Sequence, residues 1–477
     1  MTAVQVETSI ESYCCSADHL LIGNTVPIAK AALSFISLLP RDILLEIFIW
    51  LSWSADNHAD ITQAPWVLGH VCRSWRDIIK SVKWLWSMVI LPVHSYDRKV
   101  LRVLKHFLRR SDQSLFKIDL TFNEEASRKA IRSVFRVLSS HLPRCAGLSI
   151  LIPQKGVWEL MELAQHLPEL RFLDIFIPSS DDEDDFEEED TFSIFSTAPK
   201  LTGVSLFGLY TVGNISLPAS QIQEFHGDFY TAEELHRFAS KACHLNTLEV
   251  SFHYPASDPL VQPLTHSNLR RLVVLQSELA WMETFSFPRL EELEIFQHCP
   301  DCRMAEASVS ELSALVERSM CKLQKFVLRA ALPASTLIHI LRSQSSLTEL
   351  HITVNLANAR DIFIAFTASG FLPVLMRLEI VEEHCSSQRF SVFMETHNEV
   401  FTMIRSRWDK VPGSRLRYLC LEISNARVKA VRKMVDFYSY DAIISDARLR
   451  GLDIRLNCSG VFILDGQSQR SKVCATG

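Results

Sequence analysis

A chain of 477 residues exceeds the roughly 250–300 at which a single hydrophobic core stops growing, so two units or one repeat array are expected. Hydrophobic residues make up 48% and charged residues 22%, which excludes wholesale disorder. With 49 basic against 55 acidic side chains the net charge is −6, and a general nucleic-acid binder is excluded as well.

Residues 1–33 read as a weakly ordered leader. Its opening, MTAVQVETSIESYCC, has neither a basic n-region nor an apolar core, so no secretory signal is expected. The 12 cysteines, from Cys14–Cys15 to Cys474, form no spaced framework and read as reduced thiols. No apolar run reaches the ~18 residues of a membrane span. A soluble protein of the cytoplasm, the nucleus or both is expected, without membrane contact.

Residues 34–91 are apolar, Trp-rich and helical in pattern. Ile43, Ile47 and Leu51 recur at i, i+4, i+8 with Leu44 and Phe48 beside them, and Pro40 suits a first helical turn. A polar spacer covers Ser52–Pro65. A second helix is predicted through Leu68, Val71, Cys72, Trp75, Ile78 and Ile79, and a short third segment carries Trp84, Leu85 and Trp86. Three short helices bury little area, so this unit must lean on a neighbour or a partner. Its tryptophans suit either the core of so small a unit or a partner contact.

From residue 92 to 477 a different pattern takes over. The spacing Leu-x-x-apolar-x-apolar starts at Leu170, Leu201, Leu245, Leu269, Leu290, Leu323, Leu347, Leu375, Leu416 and Leu449. Looser versions begin at Leu115, Cys145 and Ile222. One match means little in so apolar a chain, but recurrence at intervals of 21 to 44 residues, with helix-compatible stretches between, reads as the signature of an irregular leucine-rich-repeat solenoid, whose period is about 20–30 residues. Its apolar positions, such as Leu293 and Leu350, are predicted to point inward. Stepping by two puts Glu249, Arg271, Glu294, Lys325, Glu349, His351, Arg377, Glu379, Asp453 and Arg455 on the concave face. These ten are the candidate partner-binding residues, and their mixed signs favour a protein or peptide.

Two local features interrupt the array. Residues 179–190, SSDDEDDFEEED, carry nine carboxylates and read as a solvated loop or a contact for a basic partner. His298 followed by Cys299-Pro-Asp-Cys302 lacks the second ligand pair of a structural zinc site, so no metal is expected. Only 14 glycines are present, under half the usual ~7%. No G-x-x-x-x-G-K, G-x-S-x-G, H-E-x-x-H or G-x-G-x-x-G occurs, so neither a cofactor nor an enzymatic activity is expected.

SLLPRDILLEIFIWLS followed by WVLGHVCRSWRDIIKSVKWLWS resembles an F-box. Leu39, Pro40, Ile43, Leu44, Ile47, Phe48, Val71, Cys72, Arg73, Trp75, Leu85 and Trp86 match the family pattern in order, with Asp42 standing for its usual acidic residue. The long spacer is similar to that of many fungal F-box proteins. The resemblance implies a small all-α F-box followed by an irregular α/β leucine-rich-repeat horseshoe. It implies docking on a Skp-family adaptor, and through it on a cullin–RING ubiquitin ligase, by Leu39, Pro40, Ile43, Leu44, Ile47, Phe48, Val71, Cys72 and Trp75. The repeats would then hold a protein substrate for SCF-type ubiquitination. A scaffold that binds partners without delivering them to a ligase is the alternative.

Overall fold

The computed structural model describes Ile36, 38–94, 98–163, 167–178, 192–208, 211–252, 262–275, 279–296, 306–330, 332–355, 357–368, 370–382, 392–409, 416–423, 431, 440–449, 451–458 and 461–464. The expected leader, the acidic segment 179–190 and the Cys299–Cys302 pair lie outside the described residues.

Helix α1 (Arg41–Trp53) starts after Pro40, whose extended ψ of 147° lets its carbonyl accept the Leu44 N–H at 3.1 Å. It buries Leu44, Phe48 and Ser52 on one face. The expected second helix is two helices, α2 (Leu68–Val71) and α3 (Arg73–Ser81). Cys72 between them is fully extended, with φ −157° and ψ 172°. The break leaves the Gly69 carbonyl without a helical partner, and the Arg76 Nε donates to it at 2.9 Å. A 3-10 turn, Lys83–Trp86, completes the helical module.

Strand β1 (Met88–Val93) follows at once, so the expected boundary after residue 91 falls inside a strand. Pro92 lacks an N–H to donate, which an edge strand tolerates. Helix α4 (Arg98–Arg110) then leads to β2 (Phe116–Phe122) and β3 (Cys145–Leu151). The remaining strands are β4 (Phe172–Ile177), β5 (Gly203–Gly208), β6 (Glu224–Phe229), β7 (Thr247–Phe252), β8 (Leu264–Thr265), β9 (Arg271–Val274), β10 (Phe285–Ser286) and β11 (Glu292–Phe296). They continue through β12 (Lys325–Arg329), β13 (Glu349–Val354), β14 (Arg377–Glu382), β15 (Tyr418–Ile423), β16 (Asp453–Cys458) and β17 (Val461–Leu464).

Fifteen of these strands form one sheet in the order of the sequence, with β8 and β10 pairing separately. All neighbours in the large sheet are parallel except β16 and β17. Parallel neighbours need a crossover connection, and helices such as Arg128–Ser139, Ala232–Lys241 and Ala334–Arg342 supply several of them. The fold is mixed α/β.

Side chains on each strand alternate between a helix-covered face and an open one, as in the burial of alternate residues from Phe116 to Phe122. Register keeps the covered positions aligned: Leu272, Leu293, Phe326, Leu350, Leu378, Leu419 and Ile454 face one another across successive strands, all buried. A single continuous core runs from Leu44 to Leu456 and takes in the N-terminal module.

Nine of the ten strict Leu starts lie two residues before a strand. Leu449 does not. It ends the helix Tyr440–Leu449 and is 87% exposed, while Leu452 two residues before Ile454 takes the buried position. That last unit is therefore offset, because Leu452, Ile454 and Leu456 satisfy the alternation equally well. Asn355, eight residues after Leu347, accepts the Ala357 and Asn358 N–H groups and so closes a local turn.

Candidate partner-docking surfaces

The N-terminal module is fastened to the sheet from several sides. Its spacer does not trail in solvent: His58 is fully buried and hydrogen-bonds to Ile90 of the edge strand β1. The Trp66 Nε1 donates to the His58 carbonyl at 2.9 Å, and the Trp86 Nε1 to the Ile79 carbonyl at 3.0 Å. Rings of Trp66, Trp86, His106 and Phe107 meet at centroid distances of 4.9 to 5.6 Å. The module leans on its own neighbour through α4.

The nine residues singled out on this module divide into three groups. Phe48 is fully buried and meets Trp75 edge-on at 4.7 Å, so it is a core residue and presents nothing to a partner. Leu39, Leu44, Val71, Cys72 and Trp75 line one groove of ≈ 1050 Å³ between the start of α1 and α3, with Leu44 at its floor. The Arg41 guanidinium closes part of it, donating to Ser81 Oγ at 3.0 Å. Pro40, Ile43 and Ile47 stand on the outer ridge of α1, the two isoleucines 48% and 37% exposed. Trp50 at 69% and Leu51 at 44% continue that ridge. These residues leave one short helix with an exposed apolar ridge, a candidate contact surface.

All ten candidates on the repeats lie on the open face of the sheet, and register organises them. Arg271, Glu292, Lys325, Glu349 and Arg377 lie side by side on β9, β11, β12, β13 and β14, alternating in sign at every strand. Opposite charges at that spacing attract across strands. Two residues further along, Glu294 is nearly buried and receives both the Arg271 guanidinium at 3.0 Å and the Lys325 ammonium at 2.8 Å. Glu379 is held by Arg377 at 2.5 Å and by His351 at 2.9 Å. The His351 hydrogen bond and the Arg377 guanidinium, against the opposing effect of burial, bring the Glu379 carboxyl down to about 2.

Tyr418 takes the next place in the first row, with Arg377 at 4.3 Å and Arg455 at 5.3 Å from its ring centroid. Burial first, and its carboxylate and thiol neighbours after it, push the Tyr418 hydroxyl up to about 12. Asp453 pairs with Arg455 on its own strand at 3.1 Å. Glu249 stands apart from the others and pairs with His226 at 2.9 Å. The ten residues share one face of the sheet, and many of their charges are already engaged with one another.

A pocket of ≈ 280 Å³ on the same face, over β2 to β6, escaped the sequence reading. Register puts Lys117, Gly147, Phe172 and Gly203 in one row and Asp119, Ser149, Asp174, Ser205 and His226 in the next. Phe172 is 47% exposed and lies over Gly203, where a Cβ would come within 2.7 Å of its ring. The Lys117 stem covers Gly147 in the same way, and its ammonium lies 5.3 Å from the Phe172 centroid. Burial, and for Asp119 the neighbouring Asp174, raise both aspartates above the usual carboxylate range. The available signal was the run of glycine and serine in CAGLSI and TGVSLF, where other strands carry long side chains.

Among the described residues no group of three His, Cys, Asp or Glu is placed to hold a metal ion, and no helix is long and apolar enough to cross a membrane. Compared with known proteins, the chain matches no protein-family model. No curated protein is significantly similar to it.

Proposed function

We propose that this chain is the substrate-recognition subunit of an SCF-type ubiquitin ligase. The N-terminal module acts as an F-box that docks a Skp-family adaptor, and the strand–helix array acts as a leucine-rich-repeat solenoid whose concave, open face holds a protein substrate. The observation that carries this reading is the α1 ridge, where Pro40, Ile43, Ile47, Trp50 and Leu51 stand in water beside the groove of Leu39, Val71, Cys72 and Trp75. Leu44 and Phe48 anchor the adjoining face of the helix to the core. A helix with one side tethered and the other apolar and open suits helix-in-interface recognition.

The role is non-catalytic. Holding a substrate beside a charged ubiquitin-conjugating enzyme raises the effective concentration of its lysines, and proximity alone accelerates transfer. The test is affinity purification of the full chain, scored for a Skp-family adaptor and a cullin. Recovery of both supports the ligase reading. An adaptor without cullin supports a non-ligase scaffold, and loss of both removes the F-box assignment.

A further inference from the structure

We infer that the pocket over β2 to β6 is a slot for an arginine side chain of a protein partner. This names the ligand chemistry of the substrate-holding face proposed above and rests on that reading. Three observations converge on it.

The slot has an apolar platform. Phe172 packs over Gly203, where a Cβ would come within 2.7 Å of its ring, and that ring is half in water, with Phe176 exposed further along the same face. It also has unneutralised charge. Asp119 and Asp174 flank Ser149 on neighbouring strands in register, about 10 Å apart at two strand spacings. Ser149 Oγ donates to Asp174 at 3.1 Å, and Glu224 stands at the pocket's far wall. Among the described residues none of these three carboxylates has an ion-pair partner. On β9 to β14, by contrast, Glu294 holds two basic side chains and Glu379 three. The same face is self-neutralised at one end and left acidic at the other.

Size and charge favour a small cationic group. At ≈ 280 Å³ the pocket lies at the small end of the ~300–1,000 Å³ range of ligand sites, room enough for one side chain. A phosphate-bearing ligand would meet three carboxylates and is disfavoured. Arginine fits better than lysine: its planar guanidinium stacks on an aromatic ring and bonds a carboxylate with two parallel N–H groups. Its apolar stem suits the Phe172 side of the slot. Lys117 already sets a cation near that ring, so the ring accepts a cation there, and an incoming guanidinium would compete with Lys117 for it.

The test uses the full chain and three capped peptides, acetyl-Gly-Arg-Gly-amide, its lysine counterpart and its uncharged citrulline isostere, titrated by ligand-observed NMR. The arginine peptide should bind, the lysine peptide several-fold more weakly, and the citrulline peptide at least tenfold more weakly. The pair Asp119→Asn, Asp174→Asn should weaken the arginine peptide at least tenfold, and Phe172→Ala should weaken it as well. Lys117→Gln, which removes a competing cation, should strengthen it. Equal binding of the arginine and citrulline peptides, no arginine binding at all, or unchanged affinity in the aspartate variant overturns the slot. Adaptor capture by the same variants is scored in parallel and should equal wild type. Loss of adaptor capture by the wild-type chain would overturn the receptor reading, whatever the peptides do.

Discussion

His58 completes the free edge of the sheet at Ile90. The His58 N–H donates to the Ile90 carbonyl at 2.8 Å, and the Ile90 N–H donates to His58 Nδ1 at 2.9 Å. A side chain thus serves as the acceptor that a further strand would have offered, and a polar spacer caps an edge open to pairing with other chains. Replacing His58 by Ala should leave the part-buried Ile90 N–H without its acceptor and cost about 1–3 kcal/mol. Denaturant titration of the full chain measures it, and an unchanged midpoint would mean the loop is not part of the cooperative unit.

The same junction should make stability fall in mild acid. Burial lowers the His58 pKa, and burial followed by Arg110 and Arg109 brings His106 down to about 4. His106 Nε2 accepts from the Arg110 Nε at 3.4 Å, a bond that only the neutral ring can make. Both groups bind fewer protons folded than unfolded. Their contribution is therefore complete above the unfolded pKa near 6.5 and is lost as pH falls from there towards about 4 for His106. Melting temperature recorded between pH 7.5 and 5 should decline, and His106→Gln should flatten the decline. A flat profile in the wild type would place neither histidine in a packed junction.

The repeat register is testable by contrast. Leu293 and Leu350 are fully buried, whereas Leu449, which opens the same sequence pattern, is 87% exposed. Leu293→Asp or Leu350→Asp buries a carboxylate without a partner and should cost several kcal/mol. Leu449→Asp should cost less than about 0.5 kcal/mol. Equal losses at all three positions would put the last unit back in the register that the sequence suggests.

That contrast also marks how far the sequence could be read. Strand positions were legible because an apolar residue at every second place has only one way to face a core. Strand β1 was not, since MVILPV is apolar throughout and lacks the leading Leu. The break at Cys72 was invisible because α2 and α3 together keep a helical period, and the extended Cys72 backbone and the Arg76 bond to the Gly69 carbonyl that mark it leave no trace in the spacing. The open face was legible as a set of residues, but not its pairing. Nothing in the spacing says that Glu294 lies between Arg271 and Lys325, or that glycines beside Phe172 open a slot.

The pairing changes which substitutions report on binding. Glu294 is nearly buried between two cations, so Glu294→Lys sets three positive charges together and should cost about 3–5 kcal/mol through the fold alone. Glu349→Lys on the same face is half-exposed and should cost much less. Partner capture lost with Glu349→Lys at an unchanged melting temperature would assign that strand to the interface. Capture lost only with Glu294→Lys would report unfolding.

The docking ridge offers the most direct test of the proposed function, because exposure separates contact from stability there. Ile43 and Ile47 are 48% and 37% exposed on adjoining turns of α1, while Leu44 and Phe48 hold the adjoining face to the core. Leu44→Asp and Phe48→Asp should unfold the module and therefore say nothing about docking. Ile43→Asp and Ile47→Asp remove no core contact and should leave the melting curve within about 0.5 kcal/mol of wild type. Burying one such side chain in an interface is worth roughly 1.5–3 kcal/mol, and tenfold in affinity is about 1.4 kcal/mol. Each single change should therefore weaken adaptor capture by about one to two orders of magnitude, and the pair should abolish it. Cys72→Ser, a small change at an exposed residue of the groove, should have little effect. The readout is co-purification of each folded variant with a Skp-family adaptor at matched concentration. A folded double variant that captures the adaptor as well as wild type would detach the ridge from the adaptor and the ligase role from the chain.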